Sequence, residues 1–389
     1  MPELTQRFLV RVPASGGAFA AASSRHPLAA AGLELEPLFT TGSPAAMGVA
    51  AAEAHEWYVA RLPEGDAAGI PPWDAAYEAL ARIESAPAIA AAAQPDVIEP
   101  DLLQPWLHDR FETIEGLAAG GDVCRFDDQD EAVPGVEGRF AWHLDDPFSQ
   151  LRRARKSVSE DGARIRVAHL DTGYDPNHAA LADVRLAAEL QRNFVNDERP
   201  DDARDPGVDG LLKSPGHGTG TRSILAGGRF QFSADGYDFD DVLGGAPRSE
   251  IVPIRVGNSV VQLTTGNVAQ GIRYAVDLCS DEQTRVHVMS MSMGGVASAA
   301  WADAVNLAYE AGIFFVAAAG NNSGGPITSP AAYDNVVAVG ATTAANELAY
   351  FSNTGSRMWV SAPGVGIIST MPGGGTGSKS GTSMAAPHV

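Results

Sequence analysis

The stretch 164–173, RIRVAHLDTG, decides the fold. An apolar run closes on Asp-Thr-Gly, as a buried strand does when it ends in a carboxylate and a turn. Similar runs follow. EIVPIRV (250–256), VHVMSMSMGG (286–295), IFFVAAAGNN (313–322) and NVVAVGAT (335–342) read as strands. GNVAQGIRYAVDLC (266–279) and AWADAVNLAYEAG (300–312) read as helices between them. Buried strands alternating with helices predict an α/β fold: a parallel sheet with helices on both faces. In such sheets chemistry gathers at the carboxyl ends of strands, where Asp171 and Asn321 fall.

The first 118 residues are different. They are Ala- and Pro-rich, with strands read at RFLVRVP (7–13), EWYVARLP (56–63) and around Val97 and Ile98. The Gly/Ala/Ser/Pro-rich segment between the first two strands reads as a loop or as poorly ordered. A helix starts near Pro72, with Trp73, Tyr77, Leu80 and Ile83 at helical spacing. The order strand, strand, helix, strand predicts a small α+β domain over 1–118. Residues 119–141 read as an acidic, Gly-rich linker, and 142–389 as the second domain, entered through a helix in DDPFSQLRRARKSV.

Composition narrows the partners. The chain has 389 residues, 45% hydrophobic and 19% charged, with a net charge of −21. That acidity argues against nucleic acid and anionic membranes as partners. Cys124 and Cys279 make no disulfide framework or metal pattern, and both are expected as free thiols. No apolar run reaches a membrane span. The start lacks a basic region followed by an apolar one, which leans the expectation toward the cytoplasm without fixing a compartment.

Serine acyl transfer needs a nucleophile, a base, a carboxylate that orients the base, and oxyanion donors. Ser383 lies in SKSGTSMAAP, at the expected start of a helix whose N–H groups are free. His217 lies between Gly216 and Gly218, and a neutral His is the natural base near neutral pH. The other eight histidines carry no comparable context and are read as solvent-facing. Asp171 ends its strand, where a carboxylate is either a turn former or needs a partner. Asn321 follows FFVAAAG; its amide can donate to an oxyanion, or it is a turn Asn beside Gly320.

The run VAHLDTGYDPNHAAL, GHGTGTRSILAG, MSMSMGG, VAAAGNN, SPAAYDNVVAVGAT, FSNTGSRMWVSAPGVGIIST and SGTSMAAPHV resembles, in order, the catalytic domain of the subtilisin-like serine peptidases over residues 165–389. The resemblance implies Asp171 as orienting carboxylate, His217 as general base and acid, Ser383 as nucleophile and Asn321 as oxyanion donor. It implies that Ser292, Met293, Gly294 and Gly295 pair with an extended polypeptide substrate, and that Ala318 and Gly320 border the pocket beside them. Met293 reads equally well as core. The sequence departs from the family at Gly220, where a second histidine is usual, and little effect on catalysis is expected.

Residues 1–118 resemble, more faintly, the α+β propeptides of these peptidases, which act as intramolecular inhibitor and folding chaperone. No cofactor is required by the chemistry. Family members often hold a structural Ca²⁺, and the acidic stretches NDERPDDARD (196–205) and SADGYDFDD (233–241) are the candidates, each also readable as a solvated loop. Six residues follow Ser383, where the family continues a long buried helix, so the resemblance implies a piece of a longer product. The function expected is a serine endopeptidase. The alternative is a truncated, catalytically silent pseudo-peptidase that binds peptides, and transpeptidation would use the same residues.

Overall fold

The structure is a computed structural model, and it describes residues 7–13, 28, 32–39, 55–62, 71–85, 95–104, 114–115, 141–158, 165–196, 198–205, 216–234, 237–258 and 263–389. Near the N-terminus, β1 (Arg7–Pro13), β2 (Glu34–Pro37), β3 (His55–Arg61) and β4 (Val97–Pro100) form an antiparallel sheet in the order β2-β3-β1-β4, with helix α1 (Pro72–Ser85) between β3 and β4 in sequence. Strand alternation splits its side chains between two faces. Phe8, Val10, Val12, Tyr58 and Ala60 bury against α1, while Leu9, Trp57 and Val59 turn the other way and join the core of the larger domain.

Two expectations change here. The segment between β1 and β3 holds β2, not only a loop. The helix also presents a different face. Ala75, Ala76, Ala79 and Ile83 are buried, whereas Trp73 is 50% and Tyr77 65% exposed. Alanines let the helix lie close on the sheet, and the aromatic rings project outward.

The larger domain is built on seven parallel strands. β7 (Arg166–Asp171), β8 (Arg192–Asn193), β11 (Glu250–Arg255), β13 (Val288–Met291), β14 (Phe314–Ala318), β15 (Val337–Thr342) and β16 (Met358–Pro363) lie in the order β16-β15-β14-β13-β7-β11-β8. Helix α2 (Leu151–Ser157) precedes them, and α3 (His217–Ala226), α4 (Thr265–Asp277) and α5 (Ala299–Glu310) pack on the sheet. Ala168 and Leu170 of β7 join the core that holds α4 and α5. Val167, His169 and Asp171 alternate to the opposite face, where α3 lies. Helices therefore cover both faces, as the sequence pattern required.

Short elements complete the chain. β5 (Leu103–Gln104) pairs with β12 (Leu263–Thr264), and β6 (Ile114–Glu115) pairs with β18 (Thr376–Lys379), itself paired with β17 (Ile367–Thr370). β9 (Arg229–Ala234) and β10 (Tyr237–Val242) form a hairpin where an acidic loop was expected. Helix α6 (Thr382–Ala385) carries Ser383. The linker over 119–141 lies outside the described residues except for Ala141, as does Cys124; Cys279 is a buried free thiol.

Carboxylates join the two sheets. Glu99 accepts from Ser298 Oγ (2.8 Å) and from the N–H groups of Ala299 (3.0 Å) and Ala300 (3.1 Å), at the start of α5. Two residues on, Asp101 accepts from Gly266 N (2.8 Å) at the start of α4. Both satisfy orphan donors at a positive dipole end. Asp303 of α5 accepts from Arg11 and from the Trp57 indole, each at 3.0 Å.

Candidate active site

Asp171 is the last residue of β7 and His217 the first of α3, and the parallel sheet brings the two termini together. His217 Nδ1 donates to Asp171 Oδ1 at 2.7 Å, and the Thr172 N–H donates to the same oxygen at 2.7 Å. Asp171 Oδ2 accepts from Thr221 Oγ1 at 3.0 Å. Burial alone would push the Asp171 carboxyl up. The charge and hydrogen bond of His217, with the Thr172 N–H, bring it down to about 2, so the carboxylate is ionised.

Asn321 lies just beyond β14. Its Oδ1 accepts from Thr382 N and Thr382 Oγ1, both at 2.8 Å. That fixes the amide plane and leaves Nδ2 buried without a hydrogen-bond partner among the described residues. Gly320 precedes it at φ +103°, a conformation that disfavours a side chain, and a Cβ there would collide with Asn353 Nδ2. Asn353 holds this loop by donating to Ala319 O (3.1 Å) and Pro326 O (2.8 Å).

Ser383 occupies the first turn of α6, which packs against α3. Its hydroxyl donates to Ser292 O at 2.8 Å, and Ser292 Oγ donates to Ser383 O at 2.9 Å. Beneath this turn His388 Nδ1 donates to Met384 O (2.9 Å). That tautomer leaves His388 Nε2 to accept from His143 Nδ1 at 2.7 Å. Burial pushes His388 down to about 4, and burial with the His388 neighbour pushes His143 well below the ordinary histidine value.

The structure thus brings Asp171, His217, Asn321 and Ser383 to one end of the parallel sheet. It treats the expected substrate residues unevenly. Met293 is fully buried in the core. Gly295 does not present a free backbone edge, because it exchanges both of its hydrogen bonds with Ser329 (2.8 and 3.1 Å). Ser292 is engaged with Ser383. Gly294 is buried beside them, and Ala318 and Gly320 border the turn into Asn321.

The reading of the other histidines as solvent-facing is corrected at four positions: His143, His169, His178 and His388 are buried. His169 and Thr221 are the residues that sequence reasoning missed. The spacing places His169 on the Asp171 face of its strand and Thr221 one turn after His217, but their contact comes only from how β7 and α3 pack.

Among the described residues, three carboxylates of the acidic stretches are paired with arginines. Asp201 pairs with Arg192 and Asp202 with Arg204, both at 2.6 Å, and Asp241 pairs with Arg152. Their oxygens point at guanidinium groups, not at a common centre. Among the described residues, no group of three or more His, Cys, Asp or Glu side chains could hold a metal ion. The described donors do not fit Ca²⁺, one of the two readings of these stretches. Among the described residues, no helix is long and apolar enough to cross a membrane.

Comparison with known proteins matches this arrangement to one family. Residues 162–389 match the model of the subtilase family, peptidase S8. The alkaline protease of Alkalihalobacillus alcalophilus is 30% identical over 352 residues, covering 87% of this chain and 80% of that one. Subtilisin of Bacillus pumilus is 36% identical over 248 residues, 62% of this chain and 80% of that one. Alkaline elastase YaB of a Bacillus species is 36% identical over 229 residues, 59% of this chain; the match spans about half of the elastase, 53%. The chain belongs to the subtilase family of serine-type peptidases.

Proposed function

We propose that the protein is an endopeptidase that hydrolyses polypeptides through an acyl-enzyme on Ser383. The observation that carries this reading is Asn321. Its Oδ1 is doubly anchored while its Nδ2 is buried without a partner among the described residues. An unmet buried donor costs about 1–3 kcal/mol, which a developing oxyanion would offset.

In this mechanism the Ser383 hydroxyl turns from Ser292 O toward His217. Its oxygen bonds to the scissile carbonyl carbon as His217 Nε2 takes its proton. The carbonyl electrons move onto oxygen, held by Asn321 Nδ2 and the Ser383 N–H. Asp171 holds Nδ1–H and steadies the imidazolium. The C–N bond then breaks, and the amine leaves with the proton from His217. Water, deprotonated by His217, opens the acyl-enzyme and restores Ser383.

The bond from Ser383 Oγ to Ser292 O favours a second reading, peptide binding without turnover. Steady-state hydrolysis of casein decides between them. Ser383→Ala or His217→Ala is expected to remove turnover by about 10⁴-fold or more while peptide binding persists. Equal turnover in the parent and both variants would contradict the peptidase reading.

The N-terminal domain, about residues 1–118, is proposed as a propeptide-like module. Glu99 and Asp101 capping two helices of the peptidase domain support this. The 352-residue match to the A. alcalophilus protease also exceeds the 228 residues from 162 to 389, so it includes N-terminal sequence.

A further inference from the structure

Asp171 Oδ1 takes the bonds from His217 and Thr172, and Oδ2 is the oxygen on the Thr221 side. Thr221 Oγ1 lies 3.0 Å from it. The same hydroxyl is 3.2 Å from His217 O and 3.4 Å from Gly218 O. It has one proton to give, and the ionised carboxylate is the strongest acceptor. Once Thr221 donates to Asp171, its oxygen can only accept from the other side. His169 Nε2 is there at 2.9 Å. The ring must therefore carry its proton on Nε2.

His169 is buried and lies 3.7 Å from Asp171 Oδ2, too far for a direct hydrogen bond. Burial pushes it down to about 4, opposed by the Asp171 charge, so it is neutral in the working range and acts as a donor, not as a counter-ion. The charged and titratable groups facing this array are Asp171, His217 and Arg222. Arg222 follows on the next helical position, stacked on Tyr174 at 4.8 Å. Lys379 is near Gly220, its Nζ 3.0 Å from where a Cβ on that glycine would stand.

We propose that Thr221 and His169 are positioning residues for this reaction, a donor chain from His169 Nε2–H through Thr221 Oγ1–H to Asp171 Oδ2 that fixes the carboxylate and shares its charge. This rests on the peptidase reading above. The consequence is electrostatic as well as geometric. Without the Thr221 donor, the Asp171 charge falls more fully on His217 and favours its protonated form. The carboxylate also loses its anchor on one side.

The test uses four variants of the full chain: Thr221→Val, Thr221→Ser, His169→Leu and His169→Gln. Val has the shape of Thr without the hydroxyl, and Gln restores an N–H near the histidine position. In Thr221→Val, kcat is expected to fall about ten-fold with KM within two-fold. The acid limb of the kcat/KM profile is expected to move to higher pH. Thr221→Ser should recover most of both effects. His169→Leu should shift both in the same direction by less, and His169→Gln should restore them. An unshifted limb with wild-type kcat in Thr221→Val would overturn the proposal. So would equal losses in Thr221→Val and Thr221→Ser, which would mark a packing defect.

A second readout needs no turnover. The His217 ring resonance is titrated by NMR with Ser383→Ala as parent. An upward midpoint shift on adding Thr221→Val supports the chain of donors, and an unchanged midpoint overturns it. Absence of Ser383-dependent hydrolysis in the wild type would instead contradict the peptidase reading alone.

Discussion

The seven-stranded sheet is covered by helices of its own domain, α3 on one side and α4 with α5 on the other. The four-stranded sheet owns one helix, α1, and its second face lies on α4 and α5 of its neighbour. Leu9 and Trp57 are core residues of a domain they do not belong to by topology. The small domain therefore draws part of its burial from the interface, while the peptidase sheet has helices of its own on both faces. Each domain is therefore vulnerable at a different place. The small one depends on a surface, the large one on polar groups closed inside it.

Acid should separate the two most strongly. His169 and His388 are held near 4 and His143 well below its ordinary value by burial, so all three are neutral when folded. The unfolded chain protonates them near 6.5. Their contribution to stability is whole above that value and is lost as pH falls from about 6.5 toward 4. Each is worth roughly 1.4 kcal/mol per pH unit in that window. The Asp171 contribution is lost lower, between its ordinary value and about 2. Calorimetry from pH 7 to 4.5 should show the peptidase-domain transition moving down steeply. A flat transition would break the comparison.

Next in size is a pair of tryptophans. Trp57→Ala, at the interface, is expected to cost about 3–5 kcal/mol. Trp73→Ala, on the exposed side of α1, should cost less than about 0.5 kcal/mol. Denaturant midpoints measure both, and equal losses would mean that the second face of the small sheet is not structural. The helix-capping carboxylates are smaller still. Glu99→Ala and Asp101→Ala should each loosen the N-terminal domain by about 1–2 kcal/mol. Limited proteolysis should then release that domain sooner while the peptidase domain resists unchanged.

Much of this was legible because periodicity is local. RFLVRVP is an apolar run bounded by Arg and Pro, and its strand runs over Arg7–Pro13 as read. Five of the seven parallel strands showed as apolar runs; β8, only Arg192–Asn193, and β16, largely exposed, did not. The misses have physical causes. β2 is the four-residue ELEP, with Leu35 alone facing the core and Pro37 at its end. The hairpin of β9 and β10 was hidden by its charge, although Phe230 and Phe239 alternate with polar residues around an Asp-Gly pair. β17 buries Ile367 and Ile368, but its partner β18 is Thr, Gly, Ser and Lys, so hydrophobicity does not signal the pair. At the site, the four chemical groups were readable from their motifs. His169 was not, because it acts through Thr221, a residue 52 positions away whose approach depends on how β7 and α3 pack.

The central claim is that Ser383 is a nucleophile activated by His217 and Asp171 beside the Asn321 donor. Labelling with a fluorophosphonate, read by intact mass and peptide mapping, tests it most directly. The expected result is one adduct on Ser383, abolished in Ser383→Ala and strongly slowed in His217→Ala. An unlabelled but folded protein, or an adduct that survives Ser383→Ala, would contradict it.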